Sequence, residues 1–326
     1  MRRIMALATT AVLFIAACSS DSDGNSDGDS GSSPAGPPPA LTFADFDATT
    51  WKRGTDPERV VSAFGSIWVR YADGKVHRID PDSGKVIATI PTGYSDFPAC
   101  VRLTADDRYI WTCSSPNTML RIDPRTNTAD QPIRTSILSD QIYMPWSSGL
   151  LWTIRGSART LDGWSADGSV AASVDLKAFC TDLAGSQTVV IALCPTDGKV
   201  VFVDPDSAKV VGSVPLEDPH RAAVADYAWV GYGDGTAQID PETFEVVAEY
   251  DVVPTLEGSV WASDTDVWVR TDGGKPFLTH IDPAAHQIVE TINAPNYESG
   301  GDVIERGDDL WATGYNDQLI VRMSAP

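Results

Sequence analysis

Basic side chains are scarce in this chain: 24 Lys and Arg stand against 45 Asp and Glu, for a formal net charge of −21. Nucleic acids and anionic lipid surfaces are held through a basic footprint that displaces counterions. The deficit therefore excludes both as partners read by charge. Past residue 17 no run is long and apolar enough to cross a bilayer. Past residue 40 no stretch carries the apolar period of a helix. Histidine occurs only four times, and the HExxH, GxSxG and phosphate-loop patterns are missing. No ready-made catalytic constellation is left. What is present is 326 residues at 42% apolar content, enough for a sizeable core in one large or two ordinary domains.

The N-terminus reads as a targeting segment. Met1-Arg2-Arg3 is a charged start, and Ile4 to Ala17 is an apolar stretch too short to span comfortably. It ends in Ile15-Ala16-Ala17-Cys18, which resembles the lipobox of bacterial lipoproteins. The resemblance implies removal of residues 1–17 as a signal peptide and diacylation of the Cys18 thiol, palmitate-type chains included. The expected location is extracytoplasmic, on a bacterial cell membrane, with lipid as the anchor. Residues 18–39 are rich in Ser, Asp, Gly and Pro and read as a disordered tether, since such a composition buries too little surface to offset its ordering entropy.

Residues 40–326 are organised by repetition. Gly65 to Gly93 reads as three short strands, Ile67 to Tyr71, Val76 to Asp80 and Val86 to Ile90. The first two are joined by Asp73-Gly74, the strongest short hairpin signal. Its Trp68 recurs as Trp111, Trp152, Trp229, Trp268 and Trp311, with Ala192 filling the one double gap, at intervals of 37 to 43 residues. Its Ile79-Asp80-Pro81 recurs as Ile122-Asp123-Pro124, Val203-Asp204-Pro205, Ile239-Asp240-Pro241 and Ile281-Asp282-Pro283, with degenerate copies at Trp164 and Met323. A period near 40 with about four short strands per unit is the mark of an all-β propeller. Seven copies predict seven four-stranded antiparallel blades. The last copy stops after its third strand, so the strand-like Leu41 to Phe46 is expected to complete that blade and close the ring. The repeated Asp reads as a turn cap and the repeated Trp as packing between blades.

Cys100 and Cys113 occupy the first two strands of the second unit, and Cys180 and Cys194 those of the fourth. Three pairings are formally open. Because units two and four are not neighbours, Cys100–Cys113 and Cys180–Cys194 bridges are expected, in keeping with an oxidising compartment.

Innermost strands converge on the axis of a propeller, so their first residues are the candidate site. Nine residues before each marker lie Arg59, Arg102, Tyr143, His220, Ser259 and Asp302, and aligning Cys180 with Cys100 adds Asp182. Every blade then offers one polar group at one level, a ring suited to a polar ligand. The following positions are apolar except at Arg221. Of the four histidines, His77, His280 and His286 fall away from the axis; only His220 is placed for catalysis or metal binding.

The units, with their IWV, DGKV, RIDP and GKV stretches, resemble the YVTN/YncE-like seven-bladed propellers and the related streptogramin B (virginiamycin B) lyase-like proteins over residues 41–326. The lyase resemblance implies a divalent cation such as Mg2+ at the channel mouth, held by a Glu-x-His motif and a His one blade earlier. Glu257-Gly258-Ser259 and His220 fall at those positions, so His220 and Glu257 could bind metal, but Ser259 stands where the general base is implied. The expectation is a binding or scaffold module for an envelope protein or a small polar ligand, monomeric and with no cofactor. The alternative is a metal-dependent lyase or hydrolase.

Overall fold

The structure, a computed structural model, describes residues 37–93, 101–115, 117–137, 142–272 and 276–324. Cys18 and the signal and tether segments lie outside them, apart from residues 37–39. Seven antiparallel sheets follow one another along the chain, each built of four strands from the channel outward. The first is typical: Pro57–Ala63 innermost, then Ser66–Tyr71, Lys75–Ile79 and Val86–Pro91. The innermost strands of the other six are Thr104–Ala105, Trp146–Ser147, Asp182–Gly185, Arg221–Val224, Ser259–Ala262 and Val303–Arg306. In the second blade the outer strand is broken into Thr128–Ala129 and Ile133–Arg134, both paired with Thr118–Asp123.

Seven apolar clusters fill the seven interfaces between consecutive blades. The one that joins the last blade to the first holds Ile304, Trp311 and Ile320 against Val60, Ile67, Val69, Tyr71 and Ile79. Five of the marker Trp side chains are wholly buried and Trp268 is nearly so. Each reaches from its own blade into the next, as Trp68 does against Leu103, Ile110 and Ile122. Burial of large aromatic surface between sheets is what holds such a ring together.

The turn chemistry follows the repeated Asp. Asp80 accepts from the Ser83 N–H and hydroxyl, Asp204 from the N–H groups of Asp206 and Ser207, and Asp240 from those of Glu242 and Thr243. These bonds hold the carboxyls below their ordinary range, with the Ser83 hydroxyl the largest cause for Asp80 and the Ser207 hydroxyl, which donates to Asp204 Oδ2 at 2.7 Å, the largest for Asp204. The Asp is a cap, not a site.

Two expectations need correction. The ring is closed by Asp47–Lys52, which pairs antiparallel with Leu319–Ser324, and not by Leu41 to Phe46. The earlier piece splits: Ala40–Thr42 runs parallel to the outer strand of the sixth blade, Gln287–Asn293, while Phe43 and Phe46 pack on the cluster between blades six and seven. The second concerns Ala192, which faces blade three with Trp152, whereas Ile191 faces blade five. Ile191, opposite Ala184, is therefore the fourth blade's equivalent of the Trp.

Cys180 and Cys194 are joined as expected. Cys113 is also in a disulfide; Cys100 lies outside the described residues.

Candidate functional site at the channel axis

The ring residues are set by strand register. Arg59 stands opposite Arg70, Asp182 opposite Leu193, Arg221 opposite Gly231 and Ser259 opposite Arg270. Each of these is two residues before the one that faces its own marker. In the fifth blade the hairpin is one residue shorter, because Ala223 pairs with Trp229 where Val61 pairs with Trp68. Counting back from Trp229 therefore lands on His220, one residue early. Arg221 holds the axial level, and its break in the apolar pattern was the signal for this.

The level is thus Arg59, Arg102, Tyr143, Asp182, Arg221, Ser259 and Asp302. All but Tyr143, which is half-buried, are at most 6% exposed. The Arg59 guanidinium reaches past the second blade and lies over the Tyr143 ring of the third, 5.3 Å from its centroid. Arg221 Nη1 is 3.7 Å from Asp182 Oδ2 and donates to the His220 carbonyl at 2.7 Å, while its Nε donates to the Gly258 carbonyl of the next blade at 3.0 Å. Asp182 Oδ1 accepts from the N–H groups of Ile142, Tyr143 and Leu183. Asp302 takes the Val60 N–H across the closing interface at 3.1 Å and that of Val303. The two carboxylates thus tie neighbouring blades together. The layer is a ring of buried side chains of both charge signs around the axis.

Burial dominates the electrostatics. It pushes the Asp182 and Asp302 carboxyls up, against the opposing pull of Arg221 and Arg59 respectively. It pulls Arg221 down. Burial also pulls on Arg59, but Tyr143, Asp302 and Glu58 outweigh it and leave this guanidinium held more firmly charged. Just outside the layer lies Glu58, which the sequence reading passed over. Burial raises its carboxyl from 4.5 to about 7, with Asp56 and Glu257 adding repulsion and Arg59 and Arg70 opposing.

Several polar atoms here are buried without a hydrogen-bond partner: Glu58 Oε1, Arg59 Nε, Asp182 Oδ2, His220 Nε2 and Ser259 Oγ. The Ser259 hydroxyl stands beside the Asp302 carboxylate and favours its ionised form, short of a well-formed bond. His220 Nδ1 sits 2.8 Å from the Asp218 carbonyl. Glu257 is exposed and accepts from the Tyr315 hydroxyl.

The remaining histidines serve the frame. His77 packs on Tyr71, His280 stacks on Trp268 and contacts Asp266, and His286 contacts Gln238. Among the described residues, no group of three His, Cys, Asp or Glu side chains converges as a metal site. Of His220 and Glu257 one is an imidazole, where Mg2+ takes oxygen ligands, and the other is already engaged by the Tyr315 hydroxyl. This donor set does not define a resident Mg2+ site.

No protein-family model matches the chain, and no curated protein does. The class shown is a seven-bladed β-propeller, a common frame for binding and scaffolding.

Proposed function

We propose that this propeller is a binding module that takes a small polar ligand, or a polar group of an envelope protein, at the axial ring, and that it works outside the cytoplasm on a lipid anchor at Cys18. The observation that carries the binding half is the buried axial layer with its unpartnered polar atoms. Buried donors and acceptors are nearly always satisfied, and an exception points to water, an ion or a ligand. Here both signs meet: Arg59 Nε offers a donor and Glu58 Oε1 an acceptor beside it, while Asp182 Oδ2 faces Arg221 and the Ser259 hydroxyl faces Asp302. In a chain with almost twice as many acids as bases, three of seven axial residues are arginine. That concentration favours a ligand with an anionic or strongly accepting group. The lipobox-like start and the oxidised cysteines support the location.

The test is thermal denaturation with a panel of small carboxylates, phosphates, amino acids and sugars. A ligand at 100 times its Kd stabilises the native state by about 2.7 kcal/mol through mass action, which raises Tm by several degrees. Arg221→Met is expected to abolish the response of whichever compound binds. A response unchanged in Arg221→Met would remove the axial ring from the account. For the anchor, Cys18→Ser is expected to move the protein from the membrane fraction to the soluble fraction.

A further inference from the structure

The polar layer is only one end of the channel. Further along the innermost strands, away from the ring, an open cavity of about 230 Å3 lies between blades two to six. Its walls come from the residues that follow the ring residues: Leu103, Met144, Leu183, Ala222, Val260 and Trp261, with Tyr143 lining it as well. Tyr143 belongs to both layers. It lines the cavity, and burial, joined by Asp302 and Asp182 and opposed by Arg59 and Arg221, holds its hydroxyl above the ordinary tyrosine range. At the third blade an aromatic ring therefore stands between Arg59 and the cavity.

We infer that this cavity is a second binding site, for a small uncharged aromatic or heteroaromatic molecule of about two fused rings. It rests on the reading of the channel as the place where ligands bind, but concerns its other end. Size sets the upper bound. An apolar protein cavity of about 150 Å3 stays dry and takes up benzene, so 230 Å3 holds a larger ring system but not four fused rings. Wall chemistry sets the class. A Trp, a Tyr ring and a Met thioether give ring-edge, stacking and sulfur contacts to an aromatic guest. Leu, Val and Ala side chains offer a charged guest no counter-charge, so it would lose hydration without an ion-pair partner. The innermost strands pair on one side only, so their other edges turn backbone N–H and C=O groups to the channel. A heteroaromatic N–H has acceptors there.

The experiment uses indole and pyrene as probes, by isothermal titration and thermal shift on the folded protein. Indole is expected to bind with one-to-one stoichiometry and raise Tm; pyrene is expected to do neither. Ala223 and Val224 also line the cavity, and Ala223→Leu, which adds bulk at the wall, is expected to weaken indole binding at least tenfold with the polar-ligand response intact. Val224→Leu provides a second filling variant should the first fail to fold. No indole binding, equal binding of pyrene, or indole binding unchanged in a folded filling variant would each overturn the inference. A polar-ligand response lost in Arg221→Met alongside absent indole binding would overturn the apolar site alone. Loss of both responses' specificity would sink the channel reading with it.

Discussion

Glu58 concentrates the cost of the site in one side chain. It is 7% exposed, and Oε1 has no partner. With its carboxyl raised from 4.5 to about 7, the folded chain holds a proton between those pH values that the unfolded chain has released. Stability therefore falls as pH rises through this window and levels off above it. Each pH unit of displacement is worth about 1.4 kcal/mol, so the loss is about 3 kcal/mol. Glu58→Gln removes the titration and keeps the shape. We expect the variant to be more stable than the parent by about 2–3 kcal/mol at pH 8 and nearly equal to it at pH 4.5. Urea denaturation of both proteins at the two pH values checks this; a gap that does not grow with pH contradicts it. A cost of this kind is usually kept for function. Nothing in the local sequence marked Glu58, because its burial depends on Arg59 turning inward and on blades six and seven beside it.

At the scale of the element, the closing strand is fastened by two residues. Trp51 stacks on Trp311 at 5.5 Å, nearly parallel, and Arg53 donates to the Gly84 carbonyl at 2.7 Å. Gly84 sits in the Asp80 turn of the first blade with φ +64°, and a Cβ there would fall 2.1 Å from Trp51 Cζ2. The last blade's outer strand is thus clasped to a turn of the first. Gly84→Ala is expected to cost about 2–4 kcal/mol, from the left-handed backbone and the displaced indole together; thermal melting checks it. A variant as stable as the parent would show that the clasp is unimportant. Sequence reasoning placed this strand six residues early for a physical reason. Leu41 to Phe46 has the stronger apolar pattern, and its Phe43 and Phe46 do pack, but on the sixth and seventh blades from outside the ladder. Asp47–Lys52 is an edge strand whose pairing is made by backbone bonds, and only Trp51 announces it.

Over the whole molecule, the blade count and strand order were legible because each interface must bury a large side chain and each third strand must end in a capped turn. Those demands repeat, so the residues repeat. The irregular blades were harder to read. In the fourth, Ile191 replaces the Trp; in the fifth, a shortened hairpin moves Arg221 into the ring that counting assigned to His220. Side-chain reach was not legible either. That Arg59 lies over Tyr143 two blades away depends on the radius of the closed ring. Everything said of the axis requires that closure. Hydrogen exchange followed by mass spectrometry over the segment Asp47–Lys52 tests it most directly. Its paired amides are expected to exchange as slowly as those of the outer strands Lys209–Pro215 and Glu245–Tyr250, and in step with Leu319–Ser324. Exchange of Asp47–Lys52 at the rate of unstructured chain, with the other outer strands protected, would contradict the closed ring and the channel built on it.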